Sequence, residues 1–196
     1  MKAQDAIELR QSIREFSSKP VKFDAVLEAV DAANHAPFAG NINHLKFVIV
    51  NEIEKKQLLA EHAQQYWLAD SSWIIIVCSE QQKLEQLYDE RGKNYAKQQA
   101  GAAIENILLR LTELSVGSCW IGSFADNAIK AQFRIPDKWE VEALIAVGYP
   151  KYKMRKPTRK VALENKIFWE KWDEKKKPQK YPNKDPQTYY GIGHDL

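Results

Sequence analysis

Apolar positions recur along the chain at spacings that suit helices and in short unbroken runs that suit buried strands. Residues 3–10 predict a short opening helix. Asp24 predicts the N-cap of a second, since Val26, Leu27, Val30 and Ala33 recur behind it at three- and four-residue spacing. A loop rich in Pro, Gly and Asn spans 36–45. Phe47, Val48, Ile49 and Val50 read as a buried strand and residues 73–78 as another, with a helix over 54–66 between them. The strongest helical pattern covers 102–116, where Ile104, Ile107, Leu108, Leu111 and Leu114 form a stripe that Leu109 widens. A helix this apolar packs against a sheet or another subunit, and Gly117 predicts its C-cap. Asp126 predicts the cap of a shorter helix ending near Phe133, and residues 143–147 predict a third buried strand, closed by Gly148, Tyr149 and Pro150.

Beyond Lys151 the rhythm weakens. Tyr152, Phe168, Trp169, Trp172, Tyr181, Tyr189 and Tyr190 interleave with lysines and prolines. A helix is expected over 163–175, with the remainder extended. Such a segment is expected to wrap over another surface rather than to fold alone. The predicted class is α+β, a small sheet with abundant helix and a C-terminal arm.

Length and composition narrow the classes. The 196 residues predict one domain, and 44% hydrophobic with 28% charged residues exclude a disordered or fibrous chain. The longest apolar run is the six residues 73–78, against the ~20 of a membrane helix, so no membrane partner is expected. The first residues lack the apolar core of a signal peptide, and two cysteines make no secreted disulfide framework. A soluble cytoplasmic protein is the expectation. The net charge of +3 hides an asymmetry: residues 1–150 carry −4 and residues 151–196 carry +7. A basic tail on an acidic body points to an anionic neighbour, whether nucleic acid, a phosphate-bearing cofactor or a partner subunit.

The sequence lacks a glycine-rich dinucleotide motif, a P-loop, a metal-spaced Cys or His set and a nucleophile motif. No metal is expected, and an enzyme of this kind takes its reactive atom from a cofactor. Four clusters remain. In Arg10-Gln11-Ser12-Ile13-Arg14, an extended backbone points Arg10, Ser12 and Arg14 the same way, and two guanidiniums beside a hydroxyl can clamp a phosphate. Pro37, Phe38, Ala39, Gly40 and Asn41 supply small residues and a carboxamide suited to the edge of a heteroaromatic ring. Trp120, Ile121, Gly122 and Ser123 offer flat packing surface and backbone N–H groups, behind a Cys119 read as a buried inert thiol. Arg159 and Lys160 sit in a basic run. Taken singly, each also suits an ordinary solvated or packed segment.

In this order, the clusters resemble the FMN-dependent nitroreductase family. Its pattern opens with Arg-x-Ser-x-Arg/Lys, matched by Arg10 to Arg14, and continues with Ala-Pro-Ser-(Ala/Ser)-x-Asn, matched by Ala36 to Asn41. Further matches are Gly101-Ala102-Ala103-Ile104-Glu105-Asn106-Ile107-Leu108-Leu109 in a buried helix, Ser115 to Gly122 in a turn (Ser115 standing in the first Gly place), Ala146 to Pro150 at a strand end, and Pro157 to Lys160. The resemblance runs over residues 5–165. It implies a nitroreductase-like α+β fold, with a small, mainly antiparallel sheet flanked by helices and a C-terminal arm exchanged in a homodimer. It implies FMN held at its phosphate and ribityl chain by the 10–14 segment, including Gln11, with Arg159 and Lys160. It places Pro37, Phe38, Ala39 and Asn41 at the flavin ring from the other subunit, Trp120 to Ser123 on the remaining side, and Gln64 (or Gln65) less securely at the pyrimidine edge. The flavin N5 rather than any side chain would carry the hydride, with NADH or NADPH as co-substrate and a nitroaromatic or quinone as small aromatic acceptor in a ping-pong cycle. Protons can come from water, so no protein general acid is named.

Two positions depart from the family pattern. Phe38 stands where Ser is usual and narrows or rearranges the pocket, and Asn43-His44-Leu45 replaces Gln-Pro-Trp, with His44 a candidate proton donor to substrate but read first as an exposed loop residue. Three other readings stay open. One is a relative that reduces enones or dehalogenates, another a flavin-storing protein without turnover. The third is a nucleic-acid-binding module built on the tail, which the acidic body disfavours.

Overall fold

The computed structural model describes residues 1–154 and 163–175. The chain forms two compact units, Met1–Pro157 and Thr158–Leu196.

The first unit is built on a four-stranded sheet: β1 (Leu45–Val50), β2 (Trp73–Glu80), β3 (Gly117–Ile121) and β4 (Trp139–Gly148), in the order β1-β2-β4-β3. Every neighbouring pair is antiparallel. The helices are α1 (Ala3–Leu9), α2 (Phe23–Ala32), α3 (Ile53–His62), α4 (Gln82–Tyr88), α5 (Glu90–Glu113) and α6 (Asp126–Gln132). They cover both faces of the sheet, which explains why the central strands read as continuous apolar runs. On one face Ile75, Val77, Ala143, Ile145 and Val147 pack with Val26 and Ala29 of α2 and Ala103, Ile104, Ile107 and Leu111 of α5. On the other, Ile74, Ile76, Cys78, Leu144 and Ala146 pack with Leu59 of α3, Leu68 and Ile129 of α6.

One irregularity keeps both faces apolar. Val77 pairs with Ala143, but Cys78 pairs with Val141, leaving Glu142 as an extra residue in β4. The bulge turns Val141 to the face opposite Ala143. Glu142 accepts a 2.5 Å hydrogen bond from the Ser79 hydroxyl and one of 3.3 Å from Gln81.

Several boundaries move from the sequence expectation. Helix α5 starts twelve residues before the predicted 102, because its first turns bury small residues instead of large ones: Gly92, Ala96 and Ala100. A Cβ at Gly92 would run into the backbone of Leu84, so glycine lets α4 and α5 meet. Gly117 is the first residue of β3 and no C-cap. Leu114 caps α5, and Ser115 takes the left-handed turn (φ 59°). Asp24 lies inside the first turn of α2, one residue past Phe23, with Lys22 at the N-cap. The helix expected over 54–66 ends at His62, followed by a 3-10 segment at Tyr66–Asp70.

In the second unit, the helix expected over 163–175 shrinks to a 3-10 turn at Leu163–Lys166. Glu170 (φ 64°) and Asp173 (φ 65°) adopt left-handed backbone, which a continuing helix excludes. The rings of Phe168 and Trp172 pack at 4.8 Å, and Trp172 remains exposed.

Candidate functional site

The segment after α1 is laid along the edge of the sheet. Arg10 ends α1 with extended backbone (φ −57°, ψ 125°), Ser12 forms a parallel bridge with Ser118, and Ile13 N–H donates to the Ser118 carbonyl at 2.9 Å. Ile13 turns toward β3, where a Cβ on Gly117 would stand 3.0 Å from its Cγ1. The alternate residues lie close enough to β3 to act on the Cys119 thiol. Burial pushes that thiol up; the Arg14 guanidinium, a hydrogen bond from Ser12 and the Arg10 guanidinium pull it down. The bridge at Ser12 and the extended backbone at Arg10 supply the strand-like run on which the expected alternation rests. Two guanidiniums and a hydroxyl form the donor set that a phosphate monoester asks for. Arg10 has one further partner, with its Nε 3.4 Å from Glu105 Oε1 on α5.

Beyond Cys119 the strand presents Trp120, 40% exposed between the buried Cys119 and Ile121. Ile121 packs into the core and leaves its backbone, not its side chain, to any ligand. The Trp120 ring lies over Gly101 of α5, where a Cβ would be 3.7 Å from its Cη2. Gly101 and Glu105 are one helical turn apart, so a single edge of α5 supports Trp120 and engages Arg10. Gly122 and Ser123 follow as exposed residues, and a Cβ at Gly122 would have nothing within 4 Å.

The 36–41 loop reaches the adjoining edge of the same helix. Pro37 and Ala39 line a cavity of about 210 Å³ with Tyr95, Gln98, Gln99 and Ala102. Gly40 (φ 59°) and Asn41 (φ 55°) take consecutive left-handed conformations, which brings Gly40 so close to Tyr88 that a Cβ would lie 3.1 Å from its hydroxyl. Phe38 stands edge-on to His44, centroids 6.1 Å apart. His44 is no exposed loop residue: it is 4% exposed, with Nε2 3.3 Å from the Ala96 carbonyl. Its Nδ1 and the Gln99 Oε1 are buried and find no hydrogen-bond partner among the described residues.

Gln64 lies on the opposite layer, exposed in a left-handed turn (φ 52°) at the end of α3. Two residues earlier, the His62 carbonyl accepts the Ala125 N–H at 2.9 Å and ties α3 to the loop after β3. Gln11 is half-buried beside Ser12. Arg159 and Lys160 fall outside the described residues. Sequence reasoning missed Glu105, Gln99 and Tyr95. The only signal for Glu105 was a charge interrupting the apolar stripe of a buried helix.

Comparison with known proteins gives these residues a context. The profile of the Nitroreductase family matches residues 7–66 and 54–149. A protein of Archaeoglobus fulgidus, provisionally named an NADH dehydrogenase/NAD(P)H nitroreductase, is 30% identical over 147 residues, which are 72% of this chain and 82% of that one. The crystal structure of a nitroreductase family protein from Clostridium novyi NT superposes with a TM-score of 0.70 at 28% identity, covering 89% of this chain and 96% of its own. The NADPH:FMN oxidoreductase of Vibrio harveyi, solved with NAD+, shares the fold at 16% identity (TM-score 0.77; 88% of this chain, 78% of that one). Since the profile runs from residue 7 to residue 149, through all four strands and the clusters at 10–14, 36–41 and 119–123, the chain belongs to the nitroreductase family.

Proposed function

We propose that this protein is a cytoplasmic, homodimeric, FMN-dependent oxidoreductase that passes reducing equivalents from NADH or NADPH to an electron-poor acceptor, a nitroaromatic or a quinone. The observation that supports the reading is the extended run of Arg10 to Arg14 along the edge of β3, tied by the Ser12–Ser118 bridge and the Ile13 N–H to the Ser118 carbonyl, from which Arg10, Ser12 and Arg14 alternate to one side. Support for the donor and the cofactor comes from the A. fulgidus and V. harveyi proteins, whose names carry NAD(P)H and FMN.

The residues present fit FMN. Arg10 and Arg14 neutralise its phosphate, and the Ser12 hydroxyl adds a directional donor. Trp120 offers a flat, half-exposed surface for a ring system, and the open backbone at Gly122 and Ser123 leaves N–H donors for negative charge on it. Held by Arg10, Ser12 and Arg14, FMN would supply the redox chemistry between NAD(P)H and the acceptor. The protein's part is to anchor, to orient and to keep the slot apolar. In this reading residues 1–196 make one cofactor-binding domain, with 151–196 an arm wrapping the partner subunit. Pro37, Phe38, Ala39 and Asn41 then meet the ring held by the other subunit, while Arg159, Lys160 and Gln64 complete the cofactor contacts.

An absorbance spectrum of the purified protein, followed by anaerobic NADH and NADPH titration and turnover of a nitroaromatic and quinone panel, tests this. The expected result is a yellow dimer bleached by one nucleotide and recoloured by an acceptor. A colourless monomer indifferent to added FMN overturns the reading.

A further inference from the structure

We propose that Glu105 competes with the cofactor's phosphate for Arg10, so that the chain binds FMN more weakly than its two arginines alone would dictate. This rests on the reading of Arg10, Ser12 and Arg14 as a phosphate anchor.

Arg10 closes α1 and meets α5 through Nε, 3.4 Å from Glu105 Oε1, with the two side chains 32% and 46% exposed. Burial is the largest influence on the Glu105 carboxyl and raises its pKa, while Arg10 opposes that shift. Arg110, the next cation along α5, is already held by Glu28 and Glu113 at 2.5 Å each. The Glu105 carboxylate thus depends on Arg10, the same guanidinium the anchor needs.

A guanidinium grips phosphate with two adjacent N–H groups in one plane. Glu105 stands on the Nε side of Arg10 and takes up one of the two places where such a fork forms. An arriving phosphate either displaces the carboxylate or binds the remaining fork with a like charge close by, and each outcome weakens its hold. A ring without a phosphate meets neither obstacle.

The test titrates full-length wild-type protein and Glu105→Gln, both freed of flavin, with FMN and with riboflavin, following quenching of flavin fluorescence. Gln keeps the shape and removes the charge. The FMN dissociation constant is expected to fall about three- to tenfold, with riboflavin binding unchanged and the FMN effect shrinking in high salt. Glu105→Ala, which leaves no amide to hold Arg10, must move FMN affinity the same way. FMN binding that is unaltered or weaker in both variants, or a gain shared equally by riboflavin, overturns the proposal. Wild-type protein that binds no FMN overturns the phosphate-anchor reading as well, whereas normal FMN binding that both substitutions leave untouched removes only the role of Glu105.

Discussion

The ring of Phe16 lies flush against the backbone of Gly148: a Cβ at 148 would fall 2.6 Å from the Phe16 Cδ1. Around this contact Phe16 bridges Pro150, and Ser17 N–H donates to the Tyr149 carbonyl at 2.8 Å. The end of β4 thereby pins the segment that carries Arg10, Ser12 and Arg14. Gly148→Ala is expected to cost about 1–3 kcal/mol, as overpacking of a filled interior does. Thermal melting reads that loss, and FMN retention is expected to drop with it because the pinned strand must shift.

Arg10→Ala combined with Arg14→Ala removes both cations of the anchor. With about 1.5–3 kcal/mol for each hydrogen bond to a charged group, FMN binding is expected to weaken by about a hundredfold or more. Fluorescence titration measures it, and size-exclusion chromatography checks that the oligomer persists. Undiminished FMN affinity would show that the phosphate sits elsewhere.

His44 is buried against α5 and acts through packing. His44→Ala is expected to lower stability by about 1–3 kcal/mol, from the void left by the ring and the lost contact of its Nε2 with the Ala96 carbonyl. The pH profile of acceptor reduction is expected to stay in place. A profile that moves would make His44 a proton donor after all.

Cys78 supplies a pH signature. Burial, with Glu142 adding to it and Lys130 opposing, pushes its thiol from 9.0 up to about 11. Unfolding frees it to ionise near its ordinary value, so the unfolded chain holds fewer protons between those limits. Stability must therefore fall as pH rises from about 9 to about 11, by about 2–3 kcal/mol for this group. Urea midpoints across that range are expected to decline more steeply for the wild type than for Cys78→Ala.

Much of this architecture can be read from the chain, for reasons that differ by element. Strands β1, β2 and β4 announce themselves because both faces of the sheet are covered, which demands unbroken apolar runs such as 73–78. Strand β3 escapes notice. Gly117 and Ser118 have little strand preference of their own, and pairing with Gly148 and Val147 makes them one. The early turns of α5 hide because glycine and alanine bury as well as leucine where two helices must approach closely. At the site, Arg10, Ser12 and Arg14 stand out in the sequence through their alternation together with the resemblance of their segment to the family's opening motif. Glu105 and His44 do not, because their roles depend on which neighbours the fold brings to them.

The long helix α5 underlies Trp120 through Gly101, engages Arg10 through Glu105, and walls the cavity under Pro37 and Ala39 through Gln98 and Ala102. One rigid rod thus touches three separated places at once. A slight roll of that rod would shift the Trp120 support, the Arg10 ion pair and the cavity wall together, so a substitution anywhere along its buried face is felt at all three.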